Sequence, residues 1–262
     1  MMALRTAATG MAAQQLNVEV ISNNIANMNT VGYKKQRAEF EDLLYDTIER
    51  PGSQTSDTGT MAPTGIQIGA GVKAGSTYRI TTQGVPTQTG NSLDLAISGT
   101  GYFQIQLPSG DTAYTRAGNF STSATGQLVT EDGYLVLPQI TIPQGSTNLT
   151  ISQSGIVEVT TPGSTTPTQV GQMQLASFFN EAGLEATGNN LLLETSASGP
   201  PTIGNPNING MGELLQGYTE ASNVDPVTEI SALIVAQRAY EMNSKVVTTA
   251  DQMLSTTNTM KQ

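Results

Sequence analysis

The chain of 262 residues contains no cysteine, no histidine and no tryptophan. Without cysteine, it can form no disulfide and use no thiolate nucleophile. Without histidine, it lacks the usual acid/base group at neutral pH and the commonest transition-metal ligand. These absences count against an enzyme that relies on either side chain, and they exclude every nucleophile triad built on histidine.

Positive charge is scarce in the middle of the chain. Between Ile80 and Gln237 the single basic residue is Arg116, against twelve acidic residues, and the net charge of the chain is −10. Surfaces that bind nucleic acid or anionic membranes require a cluster of basic residues. The acidic middle therefore argues against both kinds of partner, and solubility is its simplest explanation.

Long hydrophobic runs are also missing. A membrane-spanning helix needs roughly 18 or more consecutive apolar residues, and no such run occurs in the sequence. The start, MMALRTAATGMAAQQ, carries Arg5 but no apolar core of the kind that secretory signals have. We therefore expect neither a transmembrane helix nor a cleaved secretory signal.

The first part of the chain has a helical pattern. Between Leu4 and about Ala26, large apolar residues recur at heptad spacing, at Leu4, Met11, Val18 and Ile25. This period predicts an amphipathic helix with a seam close to that of a coiled coil.

The last part of the chain shows the same period. Asp225 and Pro226 form a helix start signal, an N-cap followed by proline in the first turn. The heptad series is Leu233, Tyr240, Val247 and Leu254, and smaller residues follow each of the first three by three positions, at Ala236, Asn243 and Ala250. We predict a helix from Pro226 to about Thr257.

Neither terminal helix has much to bury its apolar face against in its own neighbourhood. Two arrangements remain open from the sequence. The helices pair with each other as an antiparallel hairpin on a monomer, or they pair and also present a surface to other copies of the chain.

The centre of the chain changes to short alternating or β-branched runs separated by turn residues. Pro108–Ser109–Gly110–Asp111 and Asp132–Gly133 are typical hairpin turns. The fold class is therefore predicted to be α+β, with the terminal helices paired in one coiled-coil-like layer and a central antiparallel β domain. The expected domains are residues 1–45 with 215–262 (terminal helices), 46–68 (an irregular or extended β insert) and 69–214 (the β domain).

Patterns that could indicate chemistry are weak. Gly69–Ala70–Gly71–Val72–Lys73–Ala74 matches the glycine pattern of dinucleotide sites, but a strand-like run follows where such a site needs a helix. The acidic pairs near Asp94, Asp111 and Glu131–Asp132 lack an aromatic platform for a glycan, and none shows the spacing of a calcium loop. We expect no catalytic, cofactor or metal site.

Three segments carry a resemblance to a known family. The N-terminal ISNNIANMNTVGYKKQRAEFEDLLYDT, the central β segment from Ile80 to Pro138 and the C-terminal EASNVDPVTEISALIVAQRAYEMNSKVVTTADQML resemble, in that order, the axial proteins of the bacterial flagellar rod and hook. The resemblance covers well over half of the chain. Both terminal motifs are specific to the family.

This resemblance implies a non-enzymatic building block of the flagellar basal body. Family members leave the cell through the flagellar type III export apparatus without a cleaved signal. They stack as a helical tube with the terminal helices inside and the β domain outside. The length and the insert favour the distal rod, which crosses the periplasm to the outer membrane and transmits torque to the hook. The expected partners are other copies of the chain, proximal rod proteins, the hook protein, the P- and L-ring proteins and the export apparatus. The alternatives are another axial position, proximal rod or hook-like, and, from a different class, a secreted β-rich adhesin.

The resemblance and the heptad series together suggest assembly residues. They lie on the two helices and in the turn that follows the first, where Asn27, Asn29 and Gly32 favour a helix end and Tyr33 provides an anchor. The candidates are Leu4, Met11, Val18, Asn24, Ile25, Asn27, Asn29, Thr30, Gly32, Tyr33, Leu233, Gln237, Arg238, Tyr240, Asn243, Val247 and Leu254. Beyond the turn, Lys34, Lys35 and Arg37 are expected to face Glu39, Glu41 and Asp42.

Overall fold

The computed structural model describes residues 2–52, 63–162 and 166–260. Helices α1 (Met2–Ala26) and α2 (Pro226–Thr259) lie at the two ends of the sequence, with an antiparallel β-rich region between them. This confirms the predicted α+β class and both predicted helices. Residues 53–62, part of the predicted insert at residues 46–68, lie outside the described residues.

The chain divides into two units. The helical unit comprises Met1–Ala26, Gln36–Tyr78 and Asp225–Gln262, and the β unit comprises Asn27–Lys35 and Arg79–Val224. This division differs from the boundaries expected from the sequence at residues 46, 69 and 215. The turn after α1 groups with the β unit, and residues 69–78 group with the helices because their strand pairs with the strand that follows that turn.

Helices α1 and α2 pack against each other within the helical unit. The buried positions of α1 are Ala7, Ala13, Val20, Ile21 and Asn24. Two contacts define the direction of packing. Asn24 lies against Glu229, whereas Gly10, nearer the start of α1, lies against Asn243, nearer the end of α2. The helices are therefore antiparallel, as in the hairpin arrangement considered from the sequence.

Helix α2 begins with the predicted cap. The Asp225 side chain accepts a hydrogen bond from the Val227 backbone N–H at 3.2 Å, and the Asp225 carbonyl accepts one from the Glu229 N–H at 3.0 Å. Pro226 follows in the first turn, where its missing N–H leaves no bond unmade.

Replacing Asp225 with alanine should destabilise the helical unit by about 1 kcal/mol, because a first-turn N–H loses its side-chain acceptor. The loss should appear in urea unfolding followed by circular dichroism at the helix band. Asp251→Ala removes an exposed acidic residue from the other end of α2 and should change stability by less than about 0.5 kcal/mol. Equal losses in the two variants would contradict a capping role.

The helical unit also contains four strands, which form two two-stranded sheets. These are β1 (Gln36–Asp42) paired with β4 (Val72–Arg79), and β2 (Tyr45–Glu49) paired with β3 (Ile66–Gly69). Gly71 joins β3 to β4 with a φ of +121°, and a Cβ there would lie 2.2 Å from the Thr9 hydroxyl of α1. Close packing against α1 thus explains the second glycine of the dinucleotide-like pattern. Strand β4, and not the helix that a dinucleotide site needs, follows this glycine.

The β unit holds the remaining strands. They are β5 (Pro86–Gln88), β6 (Leu95–Ser98), β7 (Tyr102–Gln106), β8 (Thr112–Thr115), β9 (Ser121–Thr122), β10 (Leu128–Val129), β11 (Leu135–Leu137), β12 (Asn148–Ile151), β13 (Ile156–Thr160), β14 (Thr168–Gln172), β15 (Leu175–Ser177), β16 (Glu185–Gly188), β17 (Leu191–Leu193), β18 (Thr202–Gly204), β19 (Glu213–Gln216) and β20 (Tyr218–Glu220), with a 3-10 turn at Glu181–Gly183.

The largest sheet runs in the order β16-β17-β8-β7-β11-β10-β9, and β15 joins it through β7 and carries β18. A smaller sheet has the order β12-β13-β14, and two further pairs are β6 with β19 and β5 with β20. Both predicted hairpin turns are confirmed, since Gly110 turns β7 into β8 and Gly133 turns β10 into β11 with φ values of +96° and +83°.

Strand β7 shows why this sheet is buried on both faces. Successive side chains of a strand point to opposite faces. Phe103 and Ile105 enter the main core, where Phe103 meets Phe120 edge to face at 5.0 Å. Tyr102 points the other way and packs with Tyr114 and other residues in a second cluster. Strand β7 therefore contributes to a buried cluster on each face of the sheet.

Neither helix in the described parts of the chain is both long and apolar enough to cross a membrane.

Candidate assembly site

The turn after α1 is held by the β unit. The Gly32 N–H donates to the Glu220 carbonyl at 2.8 Å, and the Asn190 side chain donates to the Val31 carbonyl at 3.1 Å. Gly32 has a φ of +69°, and a Cβ there would lie 2.6 Å from the backbone nitrogen of Ala117. Both the backbone conformation and the close approach therefore require glycine.

Three charged side chains, those of Lys34, Arg116 and Glu220, lie close together next to this turn. Glu220 is fully buried and forms ion pairs with Lys34 and with Arg116, the latter at 3.2 Å. Its Oε1 also accepts from the Gly84 N–H at 2.9 Å, and the Lys34 ammonium donates to the Thr82 carbonyl at 2.9 Å. One carboxylate thus joins the N-terminal turn to two other segments of the β unit.

Burial dominates the electrostatics of this cluster. It lowers the pKa of the Lys34 ammonium, and the hydrogen bond and charge of Glu220 oppose that shift. Arg116 donates to the Gly99 carbonyl at 2.6 Å, and its guanidinium carbon lies 5.3 Å from the centre of the Tyr102 ring. A buried charge is tolerated only when it is paired and hydrogen-bonded, so the three groups depend on one another.

A second polar cluster, also within the β unit, centres on the side chain of Asn223. The Asn223 side chain accepts from the Lys35 N–H at 2.7 Å and donates to the Ile80 carbonyl at 2.9 Å. The Ile80 N–H in turn donates to the Lys35 carbonyl at 2.9 Å. These bonds tie together three segments, each within two residues of a boundary between the units.

The structure corrects the expected partners of the basic residues after the turn. Arg37 pairs with Glu39 at 2.7 Å, as expected, but Lys34 pairs with Glu220, and the partner of Glu41 is Lys73 at 2.8 Å. Sequence reasoning missed Glu220, Asn223 and the role of Arg116. The one available signal was Arg116 itself, because a lone basic residue in a long acidic segment is a natural candidate for a buried ion pair.

The structure places the predicted assembly residues in three settings. On α1, Asn24 is buried, and Leu4, Met11, Val18 and Ile25 are half-buried. In the turn, Asn27, Thr30, Gly32 and Tyr33 are half-buried and Asn29 is exposed. On α2, Leu233, Asn243 and Val247 are half-buried, whereas Gln237, Arg238, Tyr240 and Leu254 are exposed.

Some of these residues are brought together. Val18, Gln237 and Tyr240 line a groove of about 440 Å³ between the two helices, with Gln15, Glu19 and Glu241 at the same groove. Asn24 and Asn243 both lie at the contact between α1 and α2. Their predicted role in assembly remains a prediction.

Helix α2 carries a second apolar series that the sequence analysis did not single out. We call Val235, Met242, Val246 and Met253 the outer stripe, since they share one face of α2 at steps of seven, four and seven residues. Between 47% and 67% of each side chain is exposed. Buried Ala236 and Ala250 lie on a different face. The spacing is visible in the sequence, but only the folded structure shows that this series is the more exposed of the two.

Three family profiles match the chain in sequence order. The profile described as flagella basal body rod protein matches residues 4–34, and the flagellar hook protein FlgE/F/G D1 domain matches residues 96–159. The flagellar basal body rod FlgEFG protein C-terminal profile matches residues 215–260. The first and last matches cover most of α1 and all of α2.

Relatives match over most or all of the chain. The flagellar basal-body rod protein FlgG of Caulobacter vibrioides is 69% identical over 261 residues, which is 100% of both chains. FlgG of Agrobacterium fabrum is 52% identical over 97% of both chains. The rod protein FlgF of Caulobacter vibrioides is 36% identical over 88% of this chain and 85% of its own.

Proposed function

The chain belongs to the family of flagellar basal-body rod proteins and is a structural subunit of the distal rod, and we propose that it polymerises there into a helical shaft carrying torque from motor to hook. The observation that carries this proposal is the 69% identity to a FlgG relative over the full length. The relative named FlgF, from the same organism, is only 36% identical, which disfavours another axial position. A secreted adhesin is disfavoured by the three family profiles.

In this proposal, the outer stripe of α2 forms a contact with a neighbouring subunit. A row of four apolar side chains on one helix face is unfavourable in water and marks a site of association. A contact between different faces of identical subunits does not close on itself and generates an open helical polymer. We therefore assign the terminal segments, residues 1–45 and 215–262, to the inner layer of the tube, with the predicted assembly residues contributing to its contacts.

The β domain, predicted over residues 69–214, would form the outer layer of the shaft. Its neighbours would be the P- and L-ring proteins along the rod, with proximal rod proteins and the hook protein at the two ends. This places the assembled protein in the basal body from the periplasm to the outer membrane, after export by the flagellar type III apparatus without a cleaved signal.

The insert, residues 46–68, is proposed as an added contact between subunits. Its described flanks support this role, since hairpin β2–β3 exposes Ile48, Ile66 and Ile68, and Leu44 and Tyr45 are exposed beside them. Aliphatic side chains that are exposed in one subunit become stabilising when a neighbour covers them.

A double substitution in the outer stripe tests the proposed polymerisation. Val235→Glu with Met242→Glu should abolish tube formation by the purified protein, because each new contact would bury unpaired carboxylates. The monomer should keep its helicity, since both positions are exposed. Electron microscopy and sedimentation of concentrated protein provide the readout, and cells with this variant as their only copy should lack complete rods.

Thr248→Glu with Gln252→Glu is the matched control, because it adds the same two charges to exposed positions of α2 away from the stripe. It should assemble as the unmodified protein does. Tubes of normal length from the stripe variant would refute the stripe as a subunit contact. Loss of assembly in both variants would show that α2 tolerates no added charge, and the stripe would not be the specific contact.

A further inference from the structure

Asn24 joins three segments of the helical unit. Its side chain is buried and lies three residues before α1 gives way to the turn. The amide oxygen accepts from the Gln36 N–H at 2.9 Å, and the amide nitrogen donates to the Gln36 carbonyl at 2.8 Å. The same nitrogen donates to a carboxylate oxygen of Glu229, in the first turn of α2, at 3.1 Å. Helix α1, strand β1 and helix α2 thus meet at one side chain.

The small residues at the contact between α1 and α2 specify the register of the two helices poorly. The α1 line facing α2 contains Gly10, Asn17 and Asn24 at steps of seven, and the α2 line contains Glu229, Ala236, Asn243 and Ala250 at the same step. The contacts Gly10–Asn243 and Asn24–Glu229 lie fourteen residues apart on each helix. Sliding α2 by one heptad, about 10 Å, would again bring small residues opposite small residues.

The polar contacts distinguish these registers. One slip would place Glu229 at the level of Asn17, which could still donate to it. This slip would leave Asn24 opposite Ser222, before the start of α2. The other slip would place Asn24 opposite Ala236 and leave Glu229 beyond the end of α1. In either slipped register Asn24 loses its charged acceptor on α2, and a hydrogen bond to a charged group is among the stronger ones in proteins. A single buried asparagine can fix coiled-coil register in this way.

We propose that Asn24 is a positioning residue that sets the antiparallel register of α1 and α2. The hydrogen bonds to the N–H and the carbonyl of Gln36 fix the position of the Asn24 side-chain amide. The second N–H of this amide then donates to Glu229 only in the native register. The register determines how much of α2 extends beyond the start of α1, where Met253 and Leu254 are exposed. A consequence for the assembled shaft rests on the proposed function. Identical subunits can make identical contacts only if the outer stripe has the same position along the helix pair in each of them.

Disulfide trapping in the purified monomer tests the register directly, and the absence of native cysteine makes the assay clean. Gly10→Cys with Asn243→Cys reports the native register, because a Cβ at Gly10 would lie 3.3 Å from Asn243 Cγ. Gly10→Cys with Ala236→Cys, or with Ala250→Cys, reports a slip of one heptad in either direction. With Asn24 in place, the native pair should cross-link and the slipped pairs should not.

Asn24→Leu should raise cross-linking of the slipped pairs relative to the native pair by about tenfold, the factor that corresponds to the loss of a charge-assisted hydrogen bond. Glu229→Ala should act in the same direction while leaving the Asn24–Gln36 pairing intact, and it guards against a variant that fails to fold. Asn17→Leu, the same substitution one heptad earlier on α1, should leave the cross-linking pattern unchanged.

General destabilisation would weaken all cross-links alike, so a selective gain in the slipped pairs identifies a register effect. If Glu229→Ala and a folded Asn24→Leu protein cross-link only through the native pair, the proposal is overturned. A shift in Asn17→Leu equal to that in Asn24→Leu would overturn it as well. These measurements use the monomer, so their result is independent of the assembly test with the outer stripe.

Discussion

Replacing Glu220 with leucine is expected to destabilise the β unit by at least about 3–5 kcal/mol, because it leaves two buried cations without their counterion. Lys34 and Arg116 are 6% and 5% exposed, so water cannot take the place of the lost carboxylate. The Gly84 N–H also loses its acceptor. Urea unfolding followed by the near-ultraviolet circular dichroism of the buried tyrosines Tyr102 and Tyr114 would measure the loss.

Two further variants make this result specific. Glu185→Leu changes an exposed glutamate on another strand of the same unit and should alter stability by less than about 0.5 kcal/mol. Lys34→Met, Arg116→Met and Glu220→Leu combined remove all three charges and should recover much of the stability lost by the single variant. If the triple variant is less stable than Glu220→Leu, the loss does not come from unpaired charge.

Gly32→Ala is expected to have the second largest effect. An alanine in the left-handed backbone region costs about 1–2 kcal/mol on conformational grounds. Here the new Cβ would also lie 2.6 Å from the Ala117 nitrogen and 2.7 Å from the Arg116 carbonyl carbon, both backbone atoms that cannot move aside cheaply. We expect the turn to move away from Ala117. The amide at residue 32 should then lose its protection from hydrogen exchange, and the unfolding midpoint should fall.

Gly199→Ala separates the two contributions. Gly199 has a φ of +72°, nearly the same as that of Gly32, but nothing lies within 4 Å of its Cβ position. This variant should therefore show the conformational cost alone. If Gly32→Ala and Gly199→Ala lower the unfolding midpoint equally, the close approach to Ala117 contributes nothing.

Much of the fold was predictable from local patterns. Heptad spacing at both ends predicted helices that the structure places at Met2–Ala26 and Pro226–Thr259, and Asp225 caps the second as expected. The turns at Gly110 and Gly133 were predictable for the same reason. In each case the residues that decide the structure lie within a few positions of one another, and their preferences act before any tertiary contact forms.

The candidate site was predictable only in outline. The residues after the first helix were predicted to form a helix end and a turn, and Asn24 and Gly32 were among the candidate assembly residues. Its charges were assigned to neighbours in sequence, however, because proximity along the chain was the only guide. The partner of Lys34 lies 186 positions away, and a carboxylate in a buried strand outcompetes the nearby exposed acids because it has no water to solvate it.

By itself, the sequence of this protein determined its two terminal helices, its antiparallel middle and its family, since periodicity, turn chemistry and motif order are properties of neighbouring residues. The tertiary structure alone decided which charges are buried around Glu220, which apolar series of α2 is the more exposed and which register joins Asn24 to Glu229. Those outcomes depend on segments up to 205 residues apart. Heptad periodicity permits several alignments of two helices, and only the polar contacts made in the folded chain distinguish among them.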